Sequence, residues 1–447
     1  MDVQTGYLVL GVLAAAAAGL WAWRHWHPLS FWYGIGYPLR VVHVYLTWRA
    51  VTSGCKLTRS KRAFRVTLDA LPVVGPAARS AANVVEYKRR VRRVDVEQAP
   101  RLGLVLPTPY GWRVRVKLHD GQIPDDYAKA AERLAHAWRV HGVRVLARKP
   151  GKITLLATRR DPLVHIAPSG GWSGELLVVR LGNLENGEPW VIDFRAVPHW
   201  INVGATQSGK SNLCNAIIKE LAPQPVALVG FDLKGGVEFT PYAPRLSALA
   251  TNRKESVDLL EDLLGEVHNR MALCRTHGAR NVWKLPEELR PMPIVALVDE
   301  VAELFLMADK SEKDEVARTG TALLRIVQLG RAFAVYLIIC GQRIGSDLGP
   351  GVTALRAQLS GRICHRVNDP ETANMALGDL DPAALDAARL IPAEAPGVAI
   401  AAGQDGTWHR ARSEYVSEEA AEAAAYAYAT LAPAWDELIG RDLTAAA

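Results

Sequence analysis

Three near-continuous apolar runs stand out in the second half of the chain: Val226–Phe231, Ile294–Val298 and Ala334–Cys340. A fourth, Trp200–Val203, is broken only by Asn202. Strands buried on both faces read this way. Between the runs, apolar residues return every three or four positions, as along Asn212–Leu221, the spacing of a helix with one buried face. Alternating strand and helix predicts a doubly wound α/β core with a parallel sheet, spanning 171–417. Ahead of it the period changes. Trp112–Leu118 alternates apolar with basic residues, a strand signal; Asp125–Val140 has helical spacing; Val143–Leu146 and Ile153–Leu156 read as further strands. These predict a small α/β domain over 94–170. Residues 171–199 carry more strand signals around the turn Glu185-Asn186-Gly187. An alanine-rich tail, 418–447, reads as a helix that frays.

The chain begins differently. Tyr7–Trp23 is uncharged, at the lower limit of length for crossing a bilayer, with Trp21, Trp23 and Trp26 where an interfacial aromatic belt would lie. Asp2 and the lack of a basic residue before it argue against a cleaved signal. Leu29–Val51 is also apolar but holds Pro38, Arg40, His43 and Arg49, so it reads as a poor second span or an interfacial helix. The expected anchor is therefore 1–52, with one span or two. A basic linker, 53–93, follows. Residues 49–93 contain 12 Lys and Arg against Asp69 and Glu86, densest at Lys88–Arg93. Basic residues after a span mark the cytoplasmic side. They also suit anionic lipid, DNA phosphates or a plain solvated helix.

Composition sharpens this picture. A length of 447 residues allows two or three domains. The net charge of +7 hides an imbalance: residues 1–200 hold 29 basic and 14 acidic residues, and the remainder hold 24 and 32. Five cysteines without C-x-x-C spacing point to a reducing compartment and away from zinc or a disulfide framework. Twelve histidines show no H-E-x-x-H spacing and read as structural.

The chemistry concentrates in one turn. Gly204, Ala205, Thr206, Gln207, Ser208, Gly209, Lys210 and Ser211 fit G-x-x-x-x-G-K-[ST] between a predicted strand and a helix opening at Asn212. Backbone N–H groups of such a loop, and backbone and side chains at the helix N-terminus, bind phosphate oxygens, so Asn212 joins residues 204–211 as an expected nucleotide-binding residue. Lys210 is placed to reach the β- and γ-phosphates of a nucleoside triphosphate, and Ser211 to ligate Mg²⁺. Asp299 and Glu300 end the run Ile294–Val298. There Asp299 would hold Mg²⁺ and Glu300 would activate water as general base. Gln342, after the third strand, is either a γ-phosphate sensor or an ordinary polar residue at a strand end. Asp232–Glu238 lies at the same edge.

Taken in order, Pro198–Thr206, Asp232-x-Lys234, Asp299-Glu300, Gly341-Gln342-Arg343, Leu355–Ile363 and the segment Asp369–Asp379 resemble the FtsK/SpoIIIE DNA translocases over about residues 95–417. The short chain and single motor are most similar to the TraB/TraSA-type transfer proteins of actinobacterial plasmids and integrative elements. The resemblance implies a RecA-like P-loop ATPase in the cell membrane with its motor in the cytoplasm. It further implies a ring, usually a hexamer, that moves double-stranded DNA with ATP and Mg²⁺, beside membrane lipid and other transfer proteins. It implies that Lys210, Ser211, Asp299, Glu300 and Gln342 act in one subunit, completed by an arginine of a neighbour, with Arg331 and Arg362 as candidates. DNA-facing loops fall at about 305–319, with Lys310 and Lys313, and at about 344–353. The sequence departs from the family at Gln207, where glycine is commonest, in its short linker, and in having only about 30 residues after Val416, too few for a winged-helix reader. A chromosome-segregation pump and a type VII secretion-like protein motor are the alternatives, and a non-enzymatic membrane scaffold the least favoured.

Overall fold

The computed structural model describes residues 3–439, apart from 71–86, 167, 308, 346–347, 350, 379, 381 and 404–405. The middle of the expected basic linker, with Arg79 and Glu86, and the last residues of the expected tail, 440–447, lie outside the described residues. The chain forms two compact units, Met1–Asp161 and Pro162–Ala447.

The first unit opens with α1, Val3–Trp26, about 36 Å long at 1.5 Å per residue. Among the described residues it is the one helix long and apolar enough to cross a membrane, and its span, Tyr7–Trp26, is unburied. A short helix, α2 (Pro28–Phe31), and a π-helical turn (Trp32–Gly36) lead to α3, Tyr37–Gly54. The stretch Leu29–Val51 does not form a second helix apolar enough for a span among the described residues. One side of α3 is buried, through Val44, Trp48 and Thr52, while Leu39, Val42 and Leu46 are exposed. Trp48 Nε1 donates to Pro100 O at 2.7 Å, Tyr37 OH to Val105 O at 2.8 Å, and Arg40 to Trp138 O at 3.1 Å.

Where it is described, the basic stretch forms an antiparallel ribbon of β1 (Arg59–Ala70) and β2 (Tyr87–Gln98), paired from Arg59↔Gln98 to Ala70↔Tyr87. Phe64, Val66 and Leu68 recur at strand period among the charges. The Arg93 guanidinium lies 5.7 Å from the ring centre of its cross-strand partner Phe64. The small domain follows as expected in kind: β3 (Arg101–Thr108), β4 (Gly111–Lys117), α4 (Pro124–Lys129), α5 (Ala131–Trp138), β5 (Gly142–Lys149) and β6 (Lys152–Thr158). Its antiparallel sheet runs β3-β4-β6-β5. Along β4, Trp112, Val114 and Val116 are buried while Arg113, Arg115 and Lys117 are exposed, the alternation legible in the sequence.

The second unit carries a ten-stranded sheet in the order β11-β10-β12-β13-β9-β14-β15-β16-β7-β8. Its strands are β7 (Val178–Leu184), β8 (Pro189–Asp193), β9 (His199–Val203), β10 (Ala227–Phe231), β11 (Leu246–Ala250), β12 (Ile294–Val298), β13 (Val335–Gly341), β14 (Gly361–His365), β15 (Val398–Ala402) and β16 (Trp408–Ser413). From β11 to β14 the order is parallel, and from β15 to β8 it is antiparallel. The expected parallel core is thus present, extended by four strands drawn from both ends of the unit. Every residue of β9, β10, β12, β13 and β14 is buried. The helices are α6 (Lys210–Leu221), α7 (Arg253–Thr276), α8 (Val301–Phe305), α9 (Lys313–Leu329), α10 (Val352–Gln358), α11 (Pro370–Leu377), α12 (Pro382–Arg389), α13 (Glu418–Ala427) and α14 (Trp435–Ile439). Asn252 caps α7, Asp369 caps α11 and Ser417 caps α13 through side-chain oxygens.

One buried charge ties α7 to the sheet. Arg270 is fully enclosed; its Nε meets Glu266 at 2.6 Å, and its other nitrogens donate to Phe333 O at 2.9 Å, Ala334 O at 3.2 Å and Met292 O at 2.9 Å. These carbonyls lie just before β12 and β13. Arg270→Ala would leave Glu266 and the carbonyls of Phe333 and Met292 without their partner, while Ala334 O keeps its bond from Ile294 N, a loss of about 3–5 kcal/mol. The expected readout is a clear fall in the urea midpoint; an unchanged midpoint would contradict the clamp.

Candidate nucleotide-binding site

The loop 204–209 leaves β9 at the carboxyl edge of the parallel sheet and enters α6. Neighbouring strand ends hold it through main-chain bonds. Gly204 N donates to Gly341 O at 3.3 Å, Ala205 N to Arg366 O at 2.8 Å, and Gly397 N to Ser208 O at 2.9 Å. Gly209 precedes α6 at φ 112°, and a Cβ there would meet Gly397 N at 2.5 Å. At Gly204 a Cβ would press on His365 Cβ at 2.7 Å and on Ser208 Oγ. Gln207 has φ 61°, which explains why glycine is the commoner residue at that position. The first-turn N–H groups of α6 have no partner within the helix, so they face the hollow of the loop as anion donors.

The charged residues named from the sequence gather at this edge. Lys210 Nζ folds back on the loop, donating to Gly204 O at 2.5 Å and Ala205 O at 3.5 Å. Asp299, at the end of β12, pairs with Lys234 at 2.7 Å. Glu300 accepts from the Gln342 backbone N–H at 3.2 and 3.3 Å. Both acids are only 7% exposed. Asp232 works as a turn clamp, accepting from the backbone of Lys234, Glu238 and Phe239 at 3.2, 2.7 and 3.0 Å. Ser211 sits in the first turn of α6 and Thr206 at the loop tip. Gln342 is exposed just past β13.

Other expectations change. The side chain of Asn212 is not open to a phosphate. Its amide donates to Ser413 Oγ at 3.0 Å and Glu414 O at 2.7 Å, and its oxygen accepts from Val416 N at 2.9 Å, pinning α6 to the strand-to-helix turn before α13. Arg362, the other candidate for a neighbour's site, is buried in β14 at 8% exposure, with Nη1 3.5 Å from Ala376 O. Arg331 is exposed in the turn before β13, at the sheet edge opposite Gly341.

Some site residues were not singled out by motif. His365 is wholly buried beneath the loop, its Nδ1 3.2 Å from Val398 O, and burial pushes its pKa down to about 4, so it is neutral. Arg366 stands at the loop mouth, 3.3 Å from Thr206 O. The only available sequence signal was their position, at the end of a strand that pairs with β9. The scattered cysteines also converge: Cys214 in α6 and Cys340 in β13 lie 3.4 Å apart, both buried.

The donor set suits ATP and Mg²⁺. Gly204 and Gly209 let the loop pack against His365 and Gly397, Ser208 Oγ is buried without a partner, and Ser211 and Asp299 are the hard oxygen donors. Among the described residues no cluster of three or more His, Cys, Asp or Glu could hold a metal alone. That fits a cation carried mainly by phosphates and water with one or two protein ligands.

Burial unbalances the site. It pushes Lys210 down and Glu300 up, although each is opposed by the other's charge. Burial also raises Glu238, helped by Asp299. For Lys234 burial is outweighed by Asp299, and its pKa rises. Glu300 keeps its proton more tightly in the fold than in the unfolded chain, so stability falls as pH rises from its ordinary 4.5 through the raised value. Glu300→Gln removes this penalty. The variant should melt above the parent at pH 8, with the gap closing toward pH 4.5. Equal midpoints at pH 8 would contradict the burial cost.

Comparison with known proteins agrees with this geometry. Residues 17–159 match the N-terminal domain of actinomycete conjugal transfer proteins, and residues 171–290 and 284–346 match the FtsK/SpoIIIE family. The chain is 42% identical over 337 residues to the transfer protein TraSA of Streptomyces ambofaciens, covering 73% of this chain and 81% of that one. It is 32% identical over 213 residues to the DNA translocase FtsK of Listeria monocytogenes, covering 43% of this chain and 27% of that one. Among solved structures, the pCW3 conjugation coupling protein TcpA, a monomer form with ATPγS, superposes with a TM-score of 0.53 at 19% identity, over 72% of this chain and 90% of that one. The chain therefore belongs to the family of the transfer protein TraSA, with a P-loop ATPase unit that matches the FtsK/SpoIIIE family over residues 171–346.

Proposed function

We propose that this ATPase is a membrane-anchored motor that moves double-stranded DNA between cells, working as a homo-oligomeric ring with α1 in the cell membrane and the ATPase unit in the cytoplasm. The observation that carries the reading is the phosphate loop facing Asp299 and Glu300, in a chain 42% identical to a transfer protein. Residues 204–211 cradle the triphosphate, and Lys210 leaves its resting carbonyls to meet the β- and γ-phosphates. Ser211 and Asp299 would hold Mg²⁺, which would supply charge neutralisation on those phosphates. Asp299 is occupied by Lys234 and would have to release it to serve as a ligand. Glu300 orients water and takes its proton, and its bond to the Gln342 backbone links that step to the end of β13.

Arg331 is the stronger candidate for the arginine supplied to a neighbouring site, being exposed where Arg362 is enclosed. The loop after α8 presents exposed Lys310 and Lys313 to DNA phosphates.

Lys210→Ala should lower ATP turnover by ~10²-fold or more. Glu300→Gln should retain nucleotide binding and lose hydrolysis to a similar degree. Turnover by the full-length protein should rise with long duplex DNA more than with single strands. Near-normal turnover in Lys210→Ala would refute the site. Indifference to DNA in an assembled, ATP-binding protein would refute the DNA motor in favour of a protein-moving one.

A further inference from the structure

A cavity of about 910 Å³ lies where the last turns of α1 meet the small domain's own elements. Four arginines line it, Arg24, Arg40, Arg159 and Arg160, and among the described residues no carboxylate does. Arg159 is half-buried. Its guanidinium sits 4.7 Å from the Trp32 ring centre, and its buried Nε has no hydrogen-bond partner. Burial and then the charges of Arg160, Arg24 and Arg40 pull its pKa down. Arg40 is fixed by its bond to Trp138 O. Four like charges are thus held together without a counter-charge, and one donor nitrogen is left unpaired; such an arrangement is costly unless an anion completes it.

The position selects the anion. Trp21 and Arg24 line the cavity and belong to the end of the span Tyr7–Trp26, so the opening lies at headgroup depth. Leu39, which lines the cavity, and Leu13 and Leu20 on α1 are exposed, apolar surface for acyl chains. The volume falls within the range of small-ligand sites and suits one headgroup.

We propose that this cavity is a binding site for the phosphate headgroup of an anionic phospholipid, locking the small domain to the membrane surface. The proposal rests on α1 being a membrane span.

The test uses the full-length protein in detergent, with phosphatidylglycerol and phosphatidylcholine compared by native mass spectrometry. The unmodified protein should retain phosphatidylglycerol about tenfold more strongly. Arg24→Gln combined with Arg160→Gln, both exposed positions, should bring the two lipids within about threefold. Arg115→Gln, exposed on β4 outside the cavity, should change nothing. Equal retention of the two lipids by the unmodified protein, or an unchanged preference in the double variant, would overturn the site. So would displacement of the lipid by equimolar inorganic phosphate or a short DNA duplex, which would assign the cavity to free phosphate or to DNA. Carbonate extraction of membranes separates the premise: release of the protein would sink the span and the site together, whereas a retained protein without lipid preference sinks the site alone.

Discussion

The ATPase unit depends on holding one irregular loop still while leaving its amides open. Residues 204–209 must point N–H groups into a hollow, so the loop cannot satisfy itself as a helix or strand would. Its other backbone groups are tied instead to Gly341, Arg366 and Gly397, at the ends of β13, β14 and the approach to β15. Those strands can serve only because β9 lies between β13 and β14. The continuous apolar runs that bury the sheet therefore do more than make a core: they set the frame that holds the loop. Asn212 adds a second brace from the far end of the unit, gripping residues 413–416.

Charge burial follows from the same geometry. Lys210 and Glu300 are drawn toward their neutral forms, and Asp299 is occupied by Lys234. A bound triphosphate and cation would rearrange all of these together. Because Glu300 also holds the Gln342 backbone, rearrangement at the carboxylates is felt directly at the end of β13. In the proposed mechanism, hydrolysis at Glu300 would have a short path into the sheet edge.

The parallel core, the loop and both acids were legible in the sequence because each has a local signature: an apolar run, a glycine spacing, a carboxylate pair at a strand end. The four antiparallel strands were harder, since β7 and β16 become neighbours only by closing a separation of more than two hundred residues. His365 and Arg366 were invisible as site residues for the same reason: their role is set by which strand lies beside β9, and no spacing records that. The ribbon β1–β2 was obscured differently. Its many arginines dominate any reading by charge and hide the period-two placement of Phe64, Val66 and Leu68. Leu29–Val51 was ambiguous because its length fits a span while its polar residues fit a docked helix, and the sequence holds no sign of the bonds that Trp48 and Tyr37 make to Pro100 O and Val105 O.

The central claim is movement along duplex DNA driven by the site at Lys210, Asp299 and Glu300. The most direct measurement is displacement of a third strand from a triplex on linear duplex DNA by the full-length protein in lipid nanodiscs. The account predicts displacement with ATP and none with ATPγS or with Glu300→Gln, even though the variant still binds nucleotide. Vigorous DNA-stimulated hydrolysis with the triplex left in place would contradict it.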